Sequence, residues 1–349
     1  KASTRVHCGA MAVSLFVAAL GDVSSLPFYN TTESIQSLFK SLGSGACNGT
    51  LELNPEFSGV DWEGEQILGA LFTKASSPVS TKRKFLINFG THAREYGLPD
   101  MALRLAHAIC DGSNRSSTLL SHTDILIVPM LNVQGRERVE SSLSTSSCGD
   151  LRKNGNLVDI DSNFDANWLF GNDNSASPDY RGVLAATEKE TKLLVALQAA
   201  YDPHVFIDMR AGNNVALSYP FWNSFAEPDE FEALRRALDY VVARSDLCKG
   251  AVPQPGTNEC PTVGAASKAM RPPFKQDGTA LDWFYGAGVT FSFVFETFAG
   301  TYQADSVEMA SAASAASRAA SHVASHAASL AASHVASRVA SRVASSGVR

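Results

Sequence analysis

Two stretches of this 349-residue chain carry side chains suited to hydrolytic chemistry. In "FLINFGTHAREYGLPD", Phe85 to Asp100, His92 and Glu95 are separated by two residues and follow a short apolar run. A neutral imidazole and a carboxylate so placed are half of a catalytic zinc site, which takes three protein ligands and leaves a fourth position open for water. In "VTFSFVFE" a second carboxylate, Glu296, ends another apolar run. A charge at the end of a buried strand is costly without a role or a partner, so Glu296 is either a functional acid or one side of a structural ion pair.

These residues need elements to hold them. "KFLINFG", "DILIVPML", "HVFIDM" and "VTFSFVFE" have the length and apolar content of buried strands. Between and after them, "PDMALRLAHAIC", "ATEKETKLLVALQAAY" and "PDEFEALRRALDYVVARS" read as helices. "YNTTESIQSLFKSL" predicts a capped amphipathic helix that starts near Asn30 or Thr31, with Ile35, Leu38, Phe39 and Leu42 as its apolar stripe. Strands alternating with helices predict an α/β fold: a mixed, mostly parallel central sheet with helices on both faces.

Six blocks in order, "FGTHAREYGLPD", "VPMLNVQGRERVE", "LRKNGNLVDIDSNFDANW", "ALSYPFW", "GTALDWFY" and "FSFVFE", resemble the zinc metallocarboxypeptidases that include carboxypeptidases A and B. The resemblance runs from about Pro27 to Tyr302 and implies one zinc ion, a peptide or protein C-terminus as substrate, and hydrolysis of the terminal peptide bond by zinc-activated water. It gives His92 and Glu95 the role of zinc ligands and Arg94 that of a substrate contact. Arg152 would polarise the scissile carbonyl, because a fixed guanidinium stabilises an oxyanion without donating a proton. Glu296 would be the general base.

The chain departs from the family pattern at several of these positions. Where the family has its third ligand, a histidine, this chain has Arg210, whose guanidinium has no lone pair to give. Six residues earlier, at ~3.3 Å per strand residue, His204 is about 20 Å from the required place. Asp208 shares the strand face of Arg210 and would reach only with a shift of register. In the "VDIDSNF" block Asp161 and Ser162 replace the family's carboxylate-binding Asn-Arg pair. Phe274 falls at the position of the tyrosine that closes over substrate. Leu281 falls at the floor of the specificity pocket, where an apolar side chain favours an apolar terminal residue.

Composition frames these readings. A formal charge of −6 excludes a general phosphate-backbone binder, which needs clustered Lys and Arg, and no glycine loop suggests nucleotide binding. Residues 1–25 read as a secretory leader, 26–304 as the carboxypeptidase-like domain, and 305–349 as a low-complexity Ala-Ser repeat. In that repeat His322 and His326 have a spacing able to share a metal on a helix, although the repeat alone accounts for them. No segment reaches the ~18 apolar residues of a membrane span.

Sequons at Asn30, Asn48 and Asn114 agree with secretion. So do Cys47, Cys110, Cys148, Cys248 and Cys260, an odd number once Cys8 is set aside with the leader, which permits two disulfides of undetermined pairing with one thiol over. Two principal functions follow: an active secreted zinc carboxypeptidase, or a pseudo-peptidase in which Arg210 sits among Glu95, Glu296 and Asp161 as a fixed cation. A third, a zinc hydrolase that uses Asp161 to recognise an amine, shares the missing ligand. Oligomeric state is not encoded in any of these features.

Overall fold

A computed structural model describes residues 30–64, 66–74, 82–142, 151–212, 216–243, 262–269 and 275–299. The 1–25 leader, the 305–349 repeat with His322 and His326, Phe274, Cys8, Cys148, Cys248 and Cys260 lie outside those residues.

One sheet contains β1 (Leu51–Leu53), β2 (Ala70–Phe72), β3 (Arg83–Phe89), β4 (Thr123–Val128), β5 (Val205–Gly212), β6 (Ala216–Tyr219), β7 (Thr262–Ala265) and β8 (Phe291–Ala299). The strand order is β1-β2-β4-β3-β5-β8-β6-β7. The four apolar runs become the contiguous parallel centre, β4-β3-β5-β8, and antiparallel pairings flank it at β2–β4 and β6–β8. The remaining strands have only three or four residues, too few to display an alternating pattern.

The helices are α1 (Thr32–Ser44), α2 (Leu98–Ile109), α3 (Asn114–His122), α4 (Val133–Ser142), α5 (Lys189–Tyr201), α6 (Phe231–Val242), α7 (Ala266–Ala269) and α8 (Ala280–Gly286). α1 starts at Thr31, whose side chain accepts from the backbone N–H of Ser34, and it buries Ile35, Phe39 and Leu42 as expected. Side chains alternate across β3 and β5. Phe85, Ile87, Val205 and Ile207 join α1, α2 and α6 in one core, while Leu86 and Phe206 join Leu193, Leu197 and Phe284 of α5 and α8 in another. Each such buried side chain contributes about 1.5–3 kcal/mol through removal from water. No helix among the described residues is long and apolar enough to cross a membrane.

This topology positions the site. The chain passes from β3 to β4 through α2 and α3, and from β4 to β5 through α4 and α5, so β3 lies between strands reached in opposite directions. The crevice beyond the carboxyl ends of strands at such a reversal is where open α/β sheets bind ligands. At that end Asn88 has the parity of Leu86, and Asp208 and Arg210 have the parity of Phe206.

Candidate active site

The chain leaves β3 through Gly90, whose φ of +70° only glycine adopts without strain. A tight turn follows, in which Glu95 N–H donates to the His92 carbonyl at 3.1 Å and Leu98 N–H donates to the Glu95 carbonyl at 3.2 Å. α2 begins there, with Pro99 in its first turn. Ala93 N–H donates to the Arg152 carbonyl at 3.2 Å, and Asn132 Nδ2 donates to the Thr91 carbonyl at 3.1 Å. These bonds fix the His92–Glu95 turn against the loop that carries Arg152 and against the segment between β4 and α4.

The structure brings His92, Glu95, Arg152, Asp161, Ser162 and Arg210 together. Nδ1 of His92 lies 2.6 Å from Glu95 Oε1, and its Nε2 lies 3.2 Å from Asp159 Oδ1. The Arg210 guanidinium fills the space these ligands surround. Its Nη2 is 2.7 Å from His92 Nε2 and 3.0 Å from Nδ1, and its Nη1 is 2.6 Å from Asp208 Oδ2 and 3.1 Å from Asp161 Oδ2. Its Nε is 3.7 Å from Glu95 Oε2. Glu296 stands opposite Arg210 in the β5–β8 register and is partly open to solvent.

Charges explain the protonation pattern. Burial pushes the Glu95 carboxyl up, but neighbouring His92 and Arg210 outweigh this and hold it below the usual range. His92 thus lies between two carboxylates, Glu95 at Nδ1 and Asp159 at Nε2, with Arg210 Nη2 within 3.0 Å of both ring nitrogens.

Burial likewise opposes ionisation of Asp159, yet Arg152 and His92 hold it well below the carboxylate range. Asp161 is raised by burial and by neighbouring Asp208 and Asp159, against the pull of Arg210. Burial pushes Glu296 up to about 7 in spite of Arg210. For Arg210 itself, burial opposes the charge, but Asp161, Asp208 and Glu95 raise its pKa well above the ordinary value.

A zinc ion does not fit this donor set. Arg210 Nη2 stands 2.7 Å from His92 Nε2, Glu95 Oε1 is 2.6 Å from the imidazole Nδ1, and the third position holds a cation. At ~4 Å and an effective dielectric of about 20, a guanidinium opposes a divalent ion by on the order of 8 kcal/mol. Asp208 does not substitute, because Oδ1 accepts from Asn88 Nδ2 at 2.7 Å and Thr91 Oγ1 at 3.0 Å while Oδ2 holds Arg210. Among the described residues no group of three or more His, Cys, Asp or Glu is arranged to hold a metal. His204, at the far end of β5, accepts from Lys84 N–H instead.

The cleft next to this cluster has a volume of about 400 Å³ and is lined by Arg94, Arg152, Ser162, Phe170, Lys275 and Gln276, among others. Arg152 Nη2 bonds Asp159 Oδ2 at 2.9 Å, and Ser162 Oγ donates to the same oxygen at 2.8 Å. Arg94 Nε is buried with no partner among the described residues. Asp161 is not offered to a ligand: it is 1% exposed, and its Oδ1 accepts from Ala280 N–H at 3.0 Å. Asp161 therefore faces Arg210, at 3.1 Å, and is not part of the cleft lining where an amine would be met. Leu281 is fully buried with Ala216, Trp222, Ala266 and Val294 and presents no surface to a ligand. A larger groove, about 700 Å³, is edged by Glu33, Glu63, Glu137 and Glu140 and carries no comparable constellation.

Sequence reasoning missed Asp159, which joins His92 to Arg152, and the Asn88–Thr91–Asp208 support of Arg210. The signal for Asp159 was an acid in the apolar "NLVDI" context, the same feature that drew attention to Glu296.

Comparison with known proteins follows this geometry. Residues 56–312 match the model of a family described as zinc carboxypeptidase. Mouse (Mus musculus) carboxypeptidase A2 is 27% identical over 221 residues, which cover 60% of this chain and 50% of the relative. Bovine (Bos taurus) carboxypeptidase O is 23% identical over 261 residues, covering 69% and 63%. The chain thus spans 50% to 63% of the length of these relatives.

Among solved structures, bovine thrombin-activatable fibrinolysis inhibitor in complex with tick carboxypeptidase inhibitor superposes with a TM-score of 0.70 at 21% identity, covering 85% of this chain and 97% of that one. Carboxypeptidase A from Helicoverpa armigera also gives 0.70, at 18% identity, with 89% and 77% covered. These superpositions establish a shared fold.

Proposed function

From the premise that this chain belongs to the zinc carboxypeptidase family, we propose that it is a non-hydrolysing member, with Arg210 in place of the metal, that binds the carboxyl terminus of a peptide or protein in its cleft. The observation that carries this reading is the Arg210 guanidinium, 2.7 Å from His92 Nε2 and bonded to Asp208. Without a metal, no water is activated beside Glu296, and peptide bonds in the cleft persist. Arg94 and Arg152 supply the positive charge that a terminal carboxylate requires, in a setting where charge-assisted hydrogen bonds are strong. Delivery through the secretory pathway belongs to the same proposal, supported by the Cys47–Cys110 disulfide and the basic, then apolar, leader.

One observation favours the hydrolytic alternative: Arg152 and Glu296 remain, and Glu296 has a carboxyl poised near neutral pH. Fluorescence polarisation with labelled peptides, followed by mass spectrometry of the same samples incubated with zinc, separates the two. The binding account expects saturable binding of free C-termini, roughly tenfold weaker binding of C-terminal amides, and intact peptides throughout. Release of the terminal residue would establish the hydrolytic account instead.

A further inference from the structure

We propose that Asn48 and Asn114 are a pair of N-glycosylation sites on the pole of the molecule opposite the cleft, and that the third sequon, at Asn30, is a structural asparagine that carries no glycan. The argument starts from the way α1 and α2 lie together. At their N-terminal ends, beside the cleft, Asn30 Nδ2 donates to Asp100 Oδ1 at 2.6 Å, its backbone N–H contacts the same oxygen at 3.3 Å, and its carbonyl accepts from Arg136 Nη2 at 2.6 Å. At their C-terminal ends Cys47 and Cys110 form a disulfide, with the Cα atoms 5.2 Å apart. The two helices therefore run side by side in the same direction. At ~1.5 Å per residue, the 12 residues of α2 separate these ends by about 18 Å.

The three sequons divide between these ends. Asn48 follows Cys47 in an exposed turn, and Asn114 is the exposed first residue of α3, four residues after Cys110. Neither side chain has a polar partner among the described residues, so each can bear a sugar on Nδ2 without loss of an internal bond. Asn30 differs at that atom. Its Nδ2 is the nitrogen a glycan would occupy, and it points at a carboxylate that is 1% exposed. A sugar there would push α1 away from Asp100 and Arg136. The disulfide supplies independent support, because disulfides persist in the oxidising lumen through which N-glycosylated chains pass. Both glycans would leave the cleft open to a macromolecular ligand.

This inference rests on the secretory reading, and the two can be tested apart. The full chain is expressed in secreting eukaryotic cells, once with its own N-terminus and once behind a heterologous secretory signal. The secreted, folded protein is deglycosylated in ¹⁸O-water, which labels each formerly glycosylated Asn as ¹⁸O-Asp, and the sites are mapped by mass spectrometry. The expected result with the heterologous signal is label at positions 48 and 114 and none at 30. Label at 30, or an unlabelled 48 or 114, would overturn the assignment. Retention of the chain led by residues 1–25, with the expected map in the other sample, would count only against those residues as a secretory leader.

Discussion

Two buried ion pairs sit at opposite ends of the same parallel strands, and they are built on different principles. At the N-terminal ends of β3 and β4, Lys82 Nζ donates to Asp124 Oδ1 at 2.9 Å, Thr73 Oγ1 at 3.0 Å and the Lys74 carbonyl at 2.8 Å. Its three donors meet three acceptors, and Thr73 Oγ1 closes the triangle by donating to Asp124 at 2.6 Å. At the C-terminal ends of β3 and β5, Arg210 and Arg152 face Glu95, Asp159, Asp161, Asp208 and Glu296. There Glu95 Oε2, Asp159 Oδ1 and Asp161 Oδ2 lack hydrogen-bond partners among the described residues. A satisfied pair is architecture. At the Arg210 end five carboxyl groups surround two guanidiniums, and those three oxygens are held by ion pairs at 3.1 to 3.7 Å without a hydrogen bond, so acids are in surplus.

The largest effect should come from removing that cation. Arg210→Ala leaves Glu95, Asp161 and Asp208 facing one another in a dry interior, and urea unfolding should show a loss of about 3–5 kcal/mol. A loss under about 1 kcal/mol would mean that solvent already neutralises the cluster. Next comes the opposite end: Lys82→Met strands Asp124 at a cost of about 3 kcal/mol, and adding Asp124→Leu should recover most of it, because Asp124 is the one acid among the described residues that Lys82 pairs with. An equivalent paired replacement at Arg210 would not recover stability, since several carboxylates would still be stranded.

A smaller effect sharpens the contrast. Asp161→Asn removes one anion from the surplus while its side-chain oxygen still accepts from Ala280 N–H, so stability at pH 7 should stay within about 1 kcal/mol or rise. Asp124→Asn in the satisfied pair should instead lose about 1–3 kcal/mol.

A control lies outside both clusters, in the first turn of α2 at Asp100, where burial raises the carboxyl from 3.8 to about 6 against the hydrogen bond from Asn30. A raised carboxyl binds its proton more tightly in the folded chain, so its contribution is most favourable below pH 4 and is lost as pH rises towards 6. The difference is up to about 3 kcal/mol. Asp100→Asn should flatten the pH dependence of unfolding across that window, and an unchanged slope would show that Asp100 is ionised throughout.

Legibility followed physical cause. The four central strands and the helices α1, α2, α5 and α6 were readable because long apolar periods leave a pattern. α3, α4 and α8 were not, because α3 and α4 carry few apolar residues and α8 has only seven residues, which read as a motif rather than an element. His92, Glu95 and Arg210 were readable from order and spacing. Asp208 was visible as a strand-face neighbour of Arg210, and Asp159 carried a local signal, an acid in an apolar run, but the partner of Asp159 did not, because His92 is 67 positions away in sequence. Asp161 was identified as a change and placed beside Arg210, where its carboxylate lies 3.1 Å from the guanidinium; that it sits in a buried 3-10 turn and not in the cleft lining follows from packing that no local pattern shows.

The most direct test of the central claim is zinc content per chain, by elemental analysis of purified protein after dialysis against trace zinc, with Arg210→His measured beside it. The account predicts far less than one zinc per chain in the natural sequence, and close to one in Arg210→His, where an imidazole restores the third donor. Stoichiometric zinc in the natural sequence would contradict it, because Arg210 would then have to leave the space between His92 and Glu95.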